Sequence, residues 1–432
     1  MISRTIFALL LLSAFWIFGL KLRQLIRNIQ LGKKLNRFDQ PWKRLALMSR
    51  VALGQSKMAI HPIPAALHLI VYLGFIIVNI EVLEIIVDGL MGTHRIFGFL
   101  GLPYNILIAG FEVFAIAVLL CCLIFLVRRS MLKIRRFSGV EMKLWPKTDA
   151  KMILIAEISL MNAFLIMNAA DYKLQLLGSA GYRPEGFFLI SQFISDMLPC
   201  AEHVLILIER GCWWFHIIGI LIFLNYLPYS KHMHIFFAFP NTYFSKLEPM
   251  GDMGNMASVT NEVKSMLIPT YMPVEMPESK FGAKDVTDLS WVQLLNAYTC
   301  TECGRCTSVC PANITGKLLS PRKVMMDTRD RLDELGSSLQ RGEKNAESSR
   351  PLLDGYISRE EIWACTSCNA CVQECPVNID PLSIIVELRR YAVMEESSAP
   401  PALNTIMTNI ENNQAPWKYA QSDRLNWMDE EN

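Results

Sequence analysis

Cysteine is the residue type most suited to chemistry in this chain, and eight of its twelve cysteines fall in two blocks of identical spacing. Each block reads Cys-x2-Cys-x2-Cys-x3-Cys-Pro, in which x is any residue. This spacing is typical of thiolates that hold 4Fe–4S clusters. It predicts two such clusters and, with them, one-electron transfer. The eight residues are Cys300, Cys303, Cys306, Cys310, Cys365, Cys368, Cys371 and Cys375.

The spacing also predicts which cysteines share a cluster. Three thiolates in one tight loop can reach three irons of one cluster, whereas the fourth lies a helical turn further on and ligates the other cluster. One cluster is therefore assigned to Cys300, Cys303, Cys306 and Cys375. The other is assigned to Cys365, Cys368, Cys371 and Cys310. A pair of zinc ribbons is the alternative, but zinc ribbons use two Cys-x2-Cys pairs rather than three cysteines in one loop.

The composition indicates a membrane protein. Hydrophobic residues make up 52% of the 432 residues, and mean hydropathy is +0.27. The net charge of +2 gives no indication of a nucleic-acid partner. Five apolar segments are near the roughly 20 residues that cross a bilayer. They are residues 6–20, 65–87, 104–127, 152–170 and 212–237, and we expect residues 1–239 to form a five-helix transmembrane bundle.

The charge pattern predicts how these spans are oriented. Basic clusters follow the first and third apolar segments, and the positive-inside rule places both in the cytoplasm. The N-terminus then lies outside and the cysteine blocks inside, where thiolates stay reduced. We expect an integral protein of a prokaryotic inner membrane. The alternatives are a cleaved signal peptide at residues 6–20 and a sixth span, instead of an outer amphipathic helix, at residues 186–198.

Three histidines are candidates for holding haem b. His68 lies in the second predicted span, and His216 and His234 lie on or just past the fifth. Eighteen residues are five helical turns, so the last two would share one helix face, roughly 27 Å apart. Ionisable residues inside a bilayer are usually functional, and paired histidines of facing helices hold haem b. Hydrogen-bonded packing is the alternative.

Other polar residues of the spans have two interpretations each. Four are candidates for a proton path, or else face water at the membrane surface: Asn79, Glu81, Glu84 and Glu112. Lys231 could meet a quinone oxygen or a haem propionate, or belong to the basic flank of the bundle. Cys200 and Cys212 both fall outside in the predicted topology, where a disulfide is permitted.

Several stretches of this sequence resemble known families. Residues 213–216 (Trp-Trp-Phe-His) and 227–234 (Leu-Pro-Tyr-Ser-Lys-His-Met-His) resemble the last span of the nitrate reductase gamma-subunit type of cytochrome b. The chain is still more similar to the membrane part of heterodisulfide-reductase-like and ETF:menaquinone-oxidoreductase-like proteins. That resemblance includes residues 66–68 and 281–282 and continues through both cysteine blocks to Tyr391, so it covers nearly the whole chain.

The resemblance implies roles for the histidines. His68 and His234 would ligate a haem b nearer the cytoplasm, and His216 would ligate one nearer the outside. The nitrate reductase pattern has a second histidine ten residues after the first, where this chain has Val78. One haem, or two with an unusual ligand, are therefore both open. The other histidines on the outer side are His94 and His203.

The C-terminal part is expected to be helical as well. We expect an irregular linker at 240–287, an α-helical dicluster domain at 288–394, and a polar tail at 395–432 that contacts a partner. Helices are predicted at 288–298, 322–332 and 381–390, with a loop at 336–349. Ser358 and Glu361 have the capping-box spacing of a further helix start. The predicted fold is mainly α.

These observations favour a membrane electron-transfer subunit of a quinone-linked oxidoreductase. By resemblance, the membrane substrate is menaquinone, and the cytoplasmic partner is a CCG-domain subunit or an electron-transfer flavoprotein. No further cysteines follow the second block, so we expect a subunit that is catalytically incomplete alone. The alternative is a haem-free, membrane-anchored ferredoxin that delivers electrons to another membrane complex.

Overall fold

A computed structural model describes residues 2–132, 134–274, 280–343 and 350–429. Within these ranges the chain forms α-helices, short 3-10 turns and one π-helical turn (Ser49–Leu53), with two isolated bridges and no β-strand. The expectation of a mainly α-helical protein is confirmed. In chain order, the first half contains α1 (Ile2–Ile29), α2 (Pro41–Met48), α3 (Pro62–Met91), α4 (Leu102–Ser130), α5 (Trp145–Leu176), α6 (Ser191–Ser195), α7 (Glu202–Tyr226) and α8 (His234–Tyr243).

Five of these helices, namely α1, α3, α4, α5 and α7, are long and apolar enough to cross a membrane. Each predicted span therefore has a helix. Residues 186–198 contain only α6, whose five residues are too few for a sixth span. Proline opens α3, α4 and α5, where its missing N–H leaves no helical hydrogen bond unmade. Long apolar runs, three of which have a proline in the first turn, thus account for the five-helix bundle.

The last long helix differs from its predicted bounds of 212–237. α7 ends at Tyr226, and the chain turns before α8 begins at His234. Pro228 lies at this break. The helix ends here because proline has no N–H group to donate the next helical hydrogen bond. His216 and His234 are therefore on different helices, and the prediction that they share one helix face is wrong.

The second half contains shorter helices. They are α9 (Ala257–Leu267), α10 (Trp291–Thr299), α11 (Arg305–Ser308), α12 (Pro311–Ile314), α13 (Pro321–Gln340), α14 (Leu352–Gly355), α15 (Arg359–Ala364), α16 (Ala370–Glu374), α17 (Pro381–Met394), α18 (Pro401–Asn413) and α19 (Asn426–Asp429). The capping box of Ser358 and Glu361 is present and opens α15. The expected irregular linker is wrong in part, because it contains α9.

α13 continues beyond its predicted end at residue 332, into the expected loop at 336–349. Gly336 packs against Asn28 of α1, and a Cβ at this glycine would lie 2.2 Å from the Asn28 Oδ1 atom. The glycine therefore marks a close helix contact rather than a helix end. Residues 344–349 of the expected loop lie outside the described residues.

The dicluster half packs directly against one end of the helix bundle, here named the domain side; the opposite end is the far side. Leu25 of α1 and Phe237 of α8 share a buried core with Leu294 and Leu332. The Asn28 side chain donates a hydrogen bond of 2.9 Å to the Tyr298 hydroxyl group. Both cysteine blocks are thus held in fixed positions relative to the bundle.

Candidate functional site: cysteine cavity and membrane cavity

The four cysteines assigned to the first cluster surround one small cavity, named here the cysteine cavity. Cys300, Cys303 and Cys306 come from one loop and Cys375 from the end of the second block, and all four line it. Cys371 also borders the cavity. The short helix α11 places Cys306, while α16 ends just before Cys375. The structure therefore brings together the crossed set that the spacing predicts.

The second set is also brought together. Burial raises the pKa of Cys310, and the neighbouring thiols of Cys365 and Cys368 raise it further. Cys371 is buried, whereas Cys368 is exposed. In the described part of the chain, no three cysteine, histidine or acidic side chains converge closely enough to hold a single metal ion, as a zinc ribbon would require.

The thiols fit a cationic multi-iron group. Burial raises the pKa of Cys300 to about 12 and that of Cys375 to about 11. Such thiols ionise readily only when a positive group coordinates them. The donor set, four sulfurs around a cavity rather than at one point, thus matches a 4Fe–4S cluster better than a lone ion.

A second, larger cavity of about 630 Å³ lies within the helix bundle, and it is named here the membrane cavity. All three predicted haem ligands, His68, His216 and His234, line it, and so does His232. Val78, which stands where the resembled pattern has a histidine, also lines it. The break after α7 has not separated the histidines, because α8 folds back over the domain side of the cavity.

Each predicted ligand has one ring nitrogen in a hydrogen bond. The Nδ1 atoms of His216 and His234 lie 3.0 Å and 3.1 Å from backbone carbonyl oxygens. The Nδ1 atom of His68 lies 3.1 Å from the Gln55 Oε1 atom. A carbonyl oxygen only accepts, so Nδ1 carries the proton and Nε2 keeps a free lone pair. This is the arrangement of a histidine ready to ligate a metal.

His68, His232 and His234 lie close enough together for their charges to interact. The rings of His232 and His234 are 5.4 Å apart, centroid to centroid. His216 belongs to another level of the cavity, where its ring packs 6.0 Å from that of Phe164. The histidines thus divide into a group of three at the domain side and one deeper in the bundle.

Positive charge lines the domain side of the membrane cavity. The arginines there are Arg128, Arg129, Arg136 and Arg305. The buried Nε atom of Arg136 has no hydrogen-bond partner among the described residues. Arginines around a cavity fit a ligand with carboxylate groups, such as the propionates of a porphyrin.

The two cavities share a wall. Cys303, Arg305 and Val377 line both the cysteine cavity and the membrane cavity. Thr301 and Pro376 line both cavities as well, so a group held by the first cysteine loop would be separated from a group in the membrane cavity by these five residues.

A buried ion-pair network holds this wall in place. Lys231, after α7, pairs with Glu302 of the first cysteine loop, and Arg329 donates to Glu302 at 2.8 Å. Burial alone would raise the pKa of Glu302, but Arg329 and Lys231 outweigh it and lower that pKa. Lys231 also donates to the Pro146 carbonyl at 2.7 Å, so its ammonium is already paired although it lines the membrane cavity.

A family comparison agrees with this geometry. Residues 299–379 match the 4Fe-4S dicluster domain family. The chain is 29% identical to the "Probable iron-sulfur-binding oxidoreductase FadF" of Bacillus subtilis, over 98% of this chain and 60% of the relative. It is 26% identical to the "EtfAB:quinone oxidoreductase" of Syntrophomonas wolfei, over 92% of this chain and 55% of the relative. A "Probable membrane-anchored ferredoxin" of Chromohalobacter salexigens is 31% identical over 35% of this chain and 24% of the relative.

The relatives are iron–sulfur oxidoreductases. Heterodisulfide reductase subunits are among them, so the resemblance stated from the sequence is confirmed. This chain spans between half and two thirds of the length of the first two relatives. No solved structure matches it significantly. The chain is a membrane protein with a C-terminal 4Fe–4S dicluster domain.

Two of the polar residues expected on a proton path, Glu84 and Glu112, belong to a buried network on the far side. Asn79 lines the membrane cavity instead, and the buried Glu81 has a carboxyl oxygen without a hydrogen-bond partner among the described residues. Arg95 donates to Asp171 at 2.5 Å and to the Tyr104 hydroxyl at 3.2 Å. Tyr104 in turn donates to Glu84 at 2.8 Å. The burial of Glu81, Glu84 and Glu112 contradicts the alternative that they face water. Glu84 has protein partners that give it a structural role.

The remaining candidates lie away from the cavities. His94 pairs with Asp171 at 3.7 Å, and His203 is exposed. His61 contacts Glu374 of the dicluster domain at 2.8 Å. Cys200 and Cys212 are both free thiols, so the disulfide considered for them is not present.

Sequence reasoning missed two residues of the membrane cavity. His232 lies two positions before His234 in a motif already noted, but it was given no role. Glu157, in the middle of α5, lines the cavity. The rule that singled out other intramembrane carboxylates applies equally to Glu157 and could have found it.

Proposed function

We propose that this chain is the membrane electron-transfer part of a quinone-linked oxidoreductase, working between membrane menaquinone and a soluble partner. The observation that carries the proposal is the wall shared by the two cavities at Cys303. When bound, two 4Fe–4S clusters and haem b supply one-electron carriers on the two sides of that wall. The printed name of the second relative, a quinone oxidoreductase, is consistent with this function.

In this proposal the cysteines hold the clusters in the crossed sets. Cys300, Cys303, Cys306 and Cys375 would hold the cluster next to the membrane cavity. Cys365, Cys368, Cys371 and Cys310 would hold the other. Cys368 is exposed, so a soluble partner can approach this second cluster. This exposure supports electron transfer between the second cluster and a soluble partner.

His68 and His234 are the proposed ligands of a haem b at the domain side. Their Nδ1–H groups are engaged, so each Nε2 atom has a lone pair to offer. The arginines beside them, with the unpaired Nε atom of Arg136, would bind propionates. His216 could hold a second haem only with an unusual opposite ligand, because Val78 offers none. Lys231, already paired with Glu302, is assigned to holding the two halves together.

The proposed topology has the domain side in the cytoplasm of a prokaryote and the N-terminus outside. Positive charge supports this orientation, since Arg128, Arg129 and Arg136 all lie at the domain side. The proposed partners are a heterodisulfide-reductase-like CCG-domain protein or an electron-transfer flavoprotein. The relatives' printed names mention both kinds of complex.

A haem-free anchored ferredoxin is the second candidate. The match to a membrane-anchored ferredoxin favours it. In that case the helices would serve only to fix the dicluster domain at a membrane and bring it to another membrane complex.

A reduced-minus-oxidised visible spectrum of the purified chain, with haem and iron quantified, tests both candidates. We expect sharp b-type bands and at least one haem per chain, lost in His68→Ala and retained in His203→Ala, whose histidine is exposed on the far side. Broad iron–sulfur bleaching without haem bands would overturn the haem assignment and favour the anchored ferredoxin.

A further inference from the structure

One acidic side chain in the membrane cavity has no role in the function proposed above. Glu157 lies on α5 near Leu154, Leu160 and Met161, which also line the cavity. It is the one acidic residue among the described residues that line this cavity. Within the described ranges, no residue donates a hydrogen bond to its carboxyl group or forms an ion pair with it.

An unpaired carboxyl group is costly inside a membrane protein. Two other buried carboxylates of this bundle are compensated, and Glu81, whose Oε2 atom also lacks a partner among the described residues, does not line the cavity. Glu84 accepts hydrogen bonds from Tyr104 and from the Phe97 backbone N–H, and Glu112 accepts one from the Ile190 backbone N–H. Because Glu157 faces a cavity and lacks such partners, a ligand in that cavity is the remaining source of compensation.

His216 faces the same end of the cavity. Its Nδ1 atom lies 3.0 Å from the carbonyl oxygen of Leu160, which is three residues after Glu157 on α5. Three residues of helix rise about 4.5 Å, so Glu157 and the contact point of His216 lie within one turn of α5. Apolar residues line the wall at this level, among them Val78 and Val118. Asn79 also lines the cavity, and its side-chain amide donates to the Phe75 carbonyl oxygen.

These groups define the chemistry of the ligand. A flat apolar ring fits the wall, and its oxygen atom must satisfy Glu157 and the free Nε2 atom of His216. A hydroquinone hydroxyl can donate to either group, and a quinone oxygen can accept from a protonated carboxyl. An anionic ligand would be repelled by Glu157, and a hydrocarbon would leave both groups unsatisfied.

We propose that Glu157 and His216 bind the head group of a quinone or hydroquinone at this apolar end of the membrane cavity. The inference rests on the proposed quinone-linked function and specifies where its membrane ligand binds. It also assigns His216 to the quinone rather than to a second haem.

Calorimetric titration of the detergent-purified full chain with menadione, a soluble naphthoquinone, tests this site, with haem quantified on the same samples. Menadione has no hydroxyl group and can only accept a hydrogen bond, here from a protonated Glu157 carboxyl group. Loss of this neutral hydrogen bond predicts about twofold to tenfold weaker binding in Glu157→Leu. The near-isosteric Glu157→Gln should weaken binding less, which guards against a folding defect. Glu202→Gln, at an exposed acid of α7, is the matched control and should bind as the wild type does.

The outcomes separate the two proposals. Unchanged menadione affinity in both Glu157 variants, or no binding by a haem-containing wild type, overturns the inference and leaves the haem assignment standing. Loss of one of two haems in His216→Ala overturns the assignment of His216 to quinone. A wild type that binds menadione through Glu157 but contains no haem supports the site and overturns the haem part of the proposed function.

Discussion

Lys231, just beyond the fifth membrane helix, forms an ion pair with Glu302 inside the first cysteine loop. Both side chains are almost fully buried, at 8% and 3% exposure. The pair therefore joins the bundle to the dicluster domain at the wall that the two cavities share. Its main effect is to fix the position of the loop that carries Cys303.

Breaking this pair from one side should be strongly destabilising. Glu302→Ala leaves the Lys231 ammonium buried, with only Asp149 at 3.8 Å as a counter-charge. Removing one partner of a buried pair typically costs about 3–5 kcal/mol. We expect the free energy of unfolding in detergent to fall by an amount of this order, as measured by chemical denaturation.

A double-mutant cycle shows whether the effect belongs to the pair. We expect Lys231→Met combined with Glu302→Gln to cost less than the sum of the two single variants, by about 1–3 kcal/mol. Additive losses would show that the two residues do not interact, contrary to the structure.

The crossed cysteine sets were predictable from sequence because a fixed loop spacing dictates which thiolates can point at one cluster. The five membrane helices were predictable because apolar runs of bilayer length have few alternatives. The turn after α7 was not predictable, because counting residues per helical turn assumes a continuous helix. Pro228 interrupts that helix.

Other features depend on contacts that no local pattern encodes. Lys231 has the sequence appearance of a basic flank residue, and only the approach of Glu302 shows what it pairs with. Gly336 suggests a loop in sequence but allows α13 to pack closely on Asn28. That His232 and Glu157 line the same cavity as the three predicted histidines likewise follows only from how the helices pack.

The proposed crossed ligand sets predict different spectra for two cysteine variants. Cys375→Ala should disturb the cluster of the first block, and Cys310→Ala that of the second, although each residue belongs to the other block in sequence. We expect each variant to lose about half of the eight irons per chain and to retain a different electron paramagnetic resonance signal of a reduced cluster.

Cys200→Ala is the matched control for these variants, because Cys200 is an exposed free cysteine on the far side. It should keep all of its iron and both signals. Loss of the same signal in Cys375→Ala and Cys310→Ala would contradict the crossed assignment.

The two histidines of α8 and its preceding turn should differ in their effect on haem. His234 has its Nδ1 atom 3.1 Å from the Lys231 carbonyl oxygen, which fixes its ring. His232 has ring contacts with Phe223 and His234 only, among the described contacts. We therefore expect His234→Ala to lose haem and His232→Ala to retain it, as measured by pyridine haemochrome absorbance.

His61→Ala, outside the membrane cavity, should keep its haem and serves as the control for both. If His232→Ala lost haem and His234→Ala did not, His232 would replace His234 as the partner of His68.

Glu141 predicts how stability at the junction depends on pH. Its carboxylate accepts from Arg322 at 2.6 Å, in a pair that joins the loop after α4 to α13. Burial alone would raise the pKa of Glu141, but Arg322 outweighs it and lowers that pKa. A lowered pKa adds stability above the usual value of about 4.3, and this stability is lost as pH falls through the lower folded value.

Glu141→Gln should therefore cost about 2 kcal/mol at neutral pH, and its difference from the wild type should shrink below about pH 4 in thermal unfolding. Glu343→Gln, which removes the exposed pair with Arg341, should change stability little at any pH, because solvent screens that pair. An equal, pH-independent loss in both variants would contradict this role for the Glu141–Arg322 pair.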